Sequence, residues 1–384
     1  MRLQSYLQSS VEILAQYSGD IPFAAWLKNH FRQHKKFGSK DRRLIADLCF
    51  CYFRLGNAFA WQERGERMLA AQLLCHRNSA FVRECKPEWQ AVSDQSLQEK
   101  LQFLGASIDD TIFPFPDELS PAIDQEAFRL SFLQQPDLFL RIRPGKEKAV
   151  HQKLQTAGIA FSGDGSCLRM ANTTKVDEII RLDEEAVVQD ISSQQVLQPL
   201  QQQVPSLPSP ATAWDCCAAS GGKTILLHDT FPRLRITASD IRESILFNLR
   251  NRLKRAGVAA DRTFVADVSS PRFSLRQKFD IILCDAPCSG SGTWGRTPEQ
   301  LSFFPNEKID TYADLQKRIA LNASKYLQPK GYFLYITCSV FRKENESVVA
   351  YLQQHAGLQV LSQQYFTGYE KKGDTLFAAL FTTS

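Results

Sequence analysis

With 384 residues, 43% of them hydrophobic and 23% charged, the chain has the make-up of an ordinary soluble globular protein with room for two or three domains. No stretch approaches the about 18 apolar residues of a membrane span. The start, Met1 to Leu14, turns polar after one early arginine, so no membrane is expected and a cytoplasmic location is. The net charge is only +5, yet the cations cluster. Arg32, Lys35, Lys36, Lys40, Arg42, Arg43 and Arg54 stand against Asp41 and Asp47, and bases outnumber acids about threefold between Arg242 and Lys278, patches that suit a polyanion. Ten cysteines and six histidines show no Cys-x-x-Cys pair or ligand spacing, so no metal is expected and most thiols read as core residues of a reducing compartment.

Residues 1–125 carry helical spacing: Leu44, Leu48, Cys51 and Tyr52 follow an i, i+4, i+7, i+8 pattern, with Ser39 as expected N-cap ahead of Asp41. Several breakers follow between Phe113 and Pro121. Residues 126–204 then read as a small α/β subdomain: a strand around Leu138, Leu140 and Ile142, a helix from Lys146 to Ala157 closed by Gly158, and a second strand and helix through Leu168 to Leu182. A proline-rich linker at 204–210 opens the third segment, 205–384. Here strands near Thr212–Cys216, Leu234–Ala238, Arg262–Ala266, Phe279–Cys284 and Gly331–Ile336 alternate with helices, and two late strands lie near Leu358–Val360 and Thr375–Phe381. That alternation predicts an α/β fold with a doubly wound, Rossmann-like sheet, whose ligands gather at the carboxyl ends of its strands.

Three loops at those ends carry chemistry. Residues 215–224 (Asp-Cys-Cys-Ala-Ala-Ser-Gly-Gly-Lys-Thr) join the first strand of the sheet to its helix. Gly222-Lys223-Thr224 ends like a phosphate-binding P-loop, which would make a nucleotide triphosphatase. That loop needs its first glycine at 217, where this chain has Cys217. The other reading is S-adenosylmethionine, a cofactor with a carboxylate and a ribose but no phosphate. Gly221 and Gly222 allow close backbone approach, and the helix N-terminus offers donors to the carboxylate. Asp240 can accept from both ribose hydroxyls, and Asp267 can take the adenine amino group; each is equally suited to capping a turn. Two cysteines, Cys288 and Cys338, follow the apolar runs ending at Cys284 and Ile336, which places two thiols at one mouth of the sheet.

These segments match a known pattern. Residues 215–224, the Asp285-Ala286-Pro287-Cys288-Ser289-Gly290-Ser291-Gly292 loop, Tyr335-Ile336-Thr337-Cys338-Ser339 with Glu344-Asn345-Glu346, and residues 188–194 resemble the Sun/RsmB-type (Fmu) RNA 5-methylcytosine methyltransferases. The helical start, with Gly38-Ser39-Lys40-Asp41-Arg42-Arg43, is similar to the NusB-like RNA-binding domain of the bacterial ribosomal members. Ser220 departs from the proline usual in the cofactor loop, Ser291 stands where threonine is common, and the helix after Asp240 lacks an arginine usually found a turn along.

The resemblance implies a class I methyltransferase that uses S-adenosylmethionine to methylate carbon 5 of cytosine in RNA, ribosomal above all, as a monomer. Cys338 would attack carbon 6, Cys288 would assist release, and Asp285 would hydrogen-bond the protonated ring edge. Cys217, Ala218, Ala219, Ser220, Gly221, Gly222, Lys223, Asp240, Asp267 and Asp285 would line the cofactor site. Two thiols are needed because carbon 5 becomes nucleophilic only after a thiolate adds to carbon 6, and a base must later remove its proton. The target base must be unpaired or flipped out, with the basic helix Arg250 to Arg255 and the N-terminal patch holding flanking phosphates. A transfer RNA methyltransferase and a non-catalytic RNA-binding or ribosome assembly factor on the same fold are the alternatives.

Overall fold

The computed structural model describes residues 2–105, 112–163, 165–203 and 210–383. The linker expected at 204–210 falls, apart from its last residue, outside them. The chain packs as two units: Met1–Asp117 with Asp124–Gln135 and Thr293–Asn306, and Glu118–Ile123 with Pro136–Gly292 and Glu307–Ser384. Residues 136–203 thus share a unit with the doubly wound sheet instead of standing apart from it. Residues 293–306, inside the segment read as catalytic, pack with the helical unit.

The first unit is helical, with its main helices at Arg2–Gln16, Phe23–Gln33, Ser39–Arg54 and Arg64–Cys75. Their apolar faces meet around Phe23, Leu27, Ile45, Leu48, Cys49, Phe53 and Met68. Ser39 is not the N-cap of its helix. Gly38 is, and the Asp41 carboxylate reaches back to accept its N–H at 2.8 Å, because an acidic side chain in the first turn can serve the orphan amide that a glycine cannot. Arg54, read as part of the basic patch, is buried and donates to the carbonyls of Phe132, Gln134 and Gly295. It is a structural cation, whereas Arg32, Lys35, Lys36, Lys40 and Arg43 are exposed.

The second unit opens with an antiparallel sheet in which β1 (Leu138–Ile142) lies between β2 (Cys167–Met170) and β3 (Ala186–Val188). The helix expected after β2 is only a 3₁₀ turn at Val176–Glu178. Seven strands follow: β4 (Thr212–Asp215), β5 (Arg235–Asp240), β6 (Ala260–Val265), β7 (Phe279–Asp285), β8 (Leu327–Thr337), β9 (Gln359–Thr367) and β10 (Thr375–Thr382). Their order is β6-β5-β4-β7-β8-β10-β9, parallel except that β10 runs against both of its neighbours.

Both faces of this sheet are covered, which is why its strands read as unbroken apolar runs. Ile282, Cys284, Phe333 and Tyr335 point to one side, where Ile319, Ala320, Val348 and Leu352 of helices Glu307–Ser324 and Glu346–Ala356 meet them. Ile281, Leu283, Leu334 and Ile336 point to the other, toward Leu197, Leu200, Leu226 and Leu227. The chain moves outward from β4 to β6, then returns to place β7 on the opposite side of β4. That reversal opens a crevice at the carboxyl ends of β4 and β7, the position where such sheets bind ligands.

Candidate active site

The loop after β4 turns sharply. Ala219 has φ +44° and Gly221 φ +86°, conformations that cost a β-carbon and favour glycine. The Ala218 N–H donates to the Ser239 carbonyl and the Ala219 N–H to Asp240 Oδ2 at 3.0 Å, which binds this loop to the end of β5. Gly222 begins the helix Gly222–Thr230, and a β-carbon there would meet open space. Lys223 and Thr224 do not face a phosphate cradle. Lys223 Nζ pairs with Asp285 Oδ2 at 2.7 Å, and Thr224 Oγ1 donates to Asp215 Oδ2 at 2.6 Å. Two of the residues on which the triphosphatase reading rested are therefore engaged elsewhere.

Next to this loop lies a cavity of about 460 Å³ lined by Cys217, Ala219, Asp240, Asp267, Asp285 and Cys288. Of the residues expected at a cofactor, Ala218, Ser220, Gly221, Gly222 and Lys223 shape or brace the loop without lining the cavity. Asp267 lines it while accepting from Ser269 N–H and Oγ, a turn-capping role that leaves its second oxygen for other donors. Sequence reasoning missed Ile241 and Arg242 beyond β5, and Tyr312, Leu315 and Ile319. The last three recur at i, i+3, i+7 on one face of Glu307–Ser324, a signal that was present but indistinguishable from ordinary core spacing.

Asp240 is 5% exposed and already carries the Arg242 N–H and guanidinium on its carboxylate. Burial pushes its pKa up, but Arg242 and the Ala219 N–H outweigh this and hold it below the ordinary carboxylate value. A ribose diol can use the carboxylate once the exposed Arg242 side chain yields a lone pair. The helix after Asp240 does carry an arginine about three turns along. Arg252 donates to Ser220 O and Oγ, both at 3.0 Å, and with Arg255 grips Asp183. Two guanidiniums expected to hold phosphates are thus engaged in fastening the loop after β4 and β3's approach to this helix.

The thiols meet because β7 and β8 are parallel neighbours, with Asp285 opposite Ile336. Their loops leave side by side, and Cys288 Sγ stands 3.3 Å from Cys338 Sγ. Glu344, fully buried, ties the loops together. It accepts from Ser289 N–H at 2.9 Å, Ser339 Oγ at 2.7 Å and Gln316 Nε2 at 2.8 Å. Asn345 Nδ2 donates to the Ser339 carbonyl at 2.8 Å. Gly292 donates its N–H to the Cys338 carbonyl, and a β-carbon there would lie 2.1 Å from the Thr375 carbonyl oxygen, so only glycine lets the Cys288 loop close.

The Cys288 thiol is held well above the usual range by its hydrogen bond to Cys338, by burial and by the charges of Cys338 and Glu344. Burial lowers the Lys223 ammonium, but Asp285 more than restores it, so the residue is a fixed cation beside the thiols.

Asp215, fully buried with Oδ1 unpartnered, is raised to about 7, first by burial and then by Asp285. The unfolded chain ionises this group near pH 4 while the folded protein still holds the proton. Stability is therefore expected to fall as pH rises from about 4 to about 7 and to level off above, by up to about 4 kcal/mol from this group. Asp215→Asn should remove that slope in urea unfolding series; an unchanged slope contradicts the assignment.

Residues 195–377 match the family model described as "16S rRNA methyltransferase RsmB/F". The chain is 36% identical over 179 residues to the ribosomal RNA small subunit methyltransferase B of Xanthomonas campestris, an alignment spanning 45% of this chain and 39% of that protein. It shares its fold with the crystal structure of PH0851 (TM-score 0.68, 19% identity, 92% of this chain and 93% of that one). It shares it also with a methyltransferase homologue from Pyrococcus horikoshii (TM-score 0.57, 23% identity, 74% and 98%). The fold is that of Rossmann-like methyltransferases, and residues 195–377, just under half of the chain, are similar to the RsmB/F family of 16S rRNA methyltransferases.

Proposed function

We propose that the protein methylates carbon 5 of a cytosine in RNA, ribosomal RNA first among substrates, using S-adenosylmethionine. The observation that carries the reading is the pair of thiols 3.3 Å apart, on adjacent parallel strand ends, beside Asp285 at the wall of a cofactor-sized cavity. The lining suits that cofactor: Asp240 for the diol, Ile241, Val268, Leu315 and Ile319 as apolar walls for a purine, and Asp267 for its amino group. Bound there, S-adenosylmethionine supplies an electrophilic methyl group.

The Cys338 sulfur adds to carbon 6. Nitrogen 3 takes a proton from solvent, and the Asp285 carboxylate accepts a hydrogen bond from it, so that the electrons of the 5,6 double bond move toward the ring edge and carbon 5 becomes nucleophilic; the proton returns to solvent when the ring is restored. Once carbon 5 has taken the methyl group, Cys338 is neutral in its new C–S bond, and the charge that kept the proton on Cys288 is gone. Cys288 then ionises to solvent and takes the proton from carbon 5. The released electron pair restores the double bond and expels Cys338 as a thiolate, so both thiols return to their starting forms.

Asp240→Asn is expected to weaken binding of S-adenosylhomocysteine by about 10- to 100-fold in calorimetry, since asparagine keeps one acceptor and the one charge-assisted bond lost is worth about 1.5–3 kcal/mol. An unaltered affinity contradicts the cofactor placement. Substrate class is read by offering labelled S-adenosylmethionine with naked small-subunit rRNA, small subunits or transfer RNA. We expect label in rRNA or the subunit; label in transfer RNA alone gives the site a transfer RNA substrate, and RNA binding without label makes the protein a binding factor.

A further inference from the structure

We propose that Asp47, Cys51 and His76, in the helical unit and apart from the thiol pair, form a binding site for a divalent cation of the zinc class. Asp47 and Cys51 stand at i and i+4 on one face of Ser39–Arg54, and His76 caps the end of Arg64–Cys75. Their ligand atoms all lie within 4.8 Å of one another. His76 Nε2 is 3.1 Å from Asp47 Oδ2 and 3.5 Å from Cys51 Sγ. Tetrahedral zinc with its ordinary bond lengths would set the N···O and N···S edges at about 3.3 and about 3.6 Å, so the two edges at His76 already match those of a shared ion.

An ion pair between Asp47 and His76 leaves out the Cys51 sulfur, which stands 3.5 Å from the same Nε2. A single Nε2 carries one proton or one lone pair and cannot serve both the carboxylate and the thiol, whereas a cation between them satisfies all three. Support around the ligands is in place. Gln72 Nε2 donates to Asp47 Oδ2 at 2.9 Å, and Gln72 is itself fixed by Ser79 Oγ. Such outer contacts orient metal ligands. Cys51 is buried, but His76 and Asp47 are 39% and 41% exposed, which leaves an entry path and a fourth position open to solvent. Spacing along the chain does not pick out such a set, because its ligands are divided between two helices. On binding, Cys51 gives its thiol proton to solvent, and the ion fastens the C-terminal half of one helix to the end of the next.

The test uses the full chain carrying Cys288→Ser and Cys338→Ser, so that the other close thiol pair cannot compete. After chelator treatment under reducing conditions it is titrated with Co²⁺, then Zn²⁺. We expect one cobalt per chain, the visible bands of four-coordinate cobalt with a thiolate charge-transfer band, displacement by zinc, and a rise in melting temperature. Cys51→Ser and His76→Gln should each weaken binding at least about 100-fold. His76 is half-exposed, so its variant is read even if Cys51→Ser does not fold. Absence of the bands, or bands that survive His76→Gln, overturns the site.

Discussion

Replacing Cys288 by alanine is expected to leave RNA covalently attached to the protein through Cys338, visible as a band that survives denaturing electrophoresis, while Cys338→Ala forms none. The expectation follows from proton order. Cys288 holds its proton before attack because of its hydrogen bond to Cys338, burial and the neighbouring charges, and it can act only after the Cys338 sulfur has been taken up in its bond to carbon 6. Without Cys288 the adduct forms, accepts the methyl group, and lacks the base that resolves it. Turnover should fall at least about 100-fold in Cys288→Ala, the usual cost of a lost acid-base group, and more in Cys338→Ala, where no nucleophile remains. An adduct in Cys338→Ala and none in Cys288→Ala would reverse the two roles.

The second large effect is expected at Asp285. Its carboxylate has two tasks: it pairs with Lys223 at 2.7 Å and it faces the cavity beside Cys288. Asp285→Ala should lower turnover about 10²- to 10⁴-fold and also destabilise the protein by about 3 kcal/mol, because it strands a largely buried ammonium. Adding Lys223→Met should restore most of the stability and none of the activity. Recovery of methyl transfer in the double variant would reduce Asp285 to a counter-ion.

The parallel strands were legible in the sequence because a strand buried on both faces must be apolar throughout. Phe279 to Cys284 and Tyr332 to Ile336 left little alternative, and their parallel pairing alone brings Cys288 to Cys338. The ionic ties were not legible. Nothing local distinguishes Arg252 and Arg255, which grip Asp183 some 70 residues earlier, from arginines waiting for phosphate. Arg54 looked like a member of a surface patch for the same reason, although its burial makes it an anchor for three carbonyls. Tyr312, Leu315 and Ile319 escaped notice because a cavity wall and a core face share one helical period. Residues 293–306 could not be assigned to the helical unit from a chain segment flanked on both sides by the sheet.

Methyl transfer to carbon 5 of an RNA cytosine is read out by bisulfite sequencing after purified protein is incubated with S-adenosylmethionine and small-subunit RNA. The prediction is a cytosine that becomes resistant to conversion with the wild-type protein and stays convertible with Cys338→Ala. No newly resistant cytosine in any RNA offered, with cofactor bound and RNA intact, would contradict it.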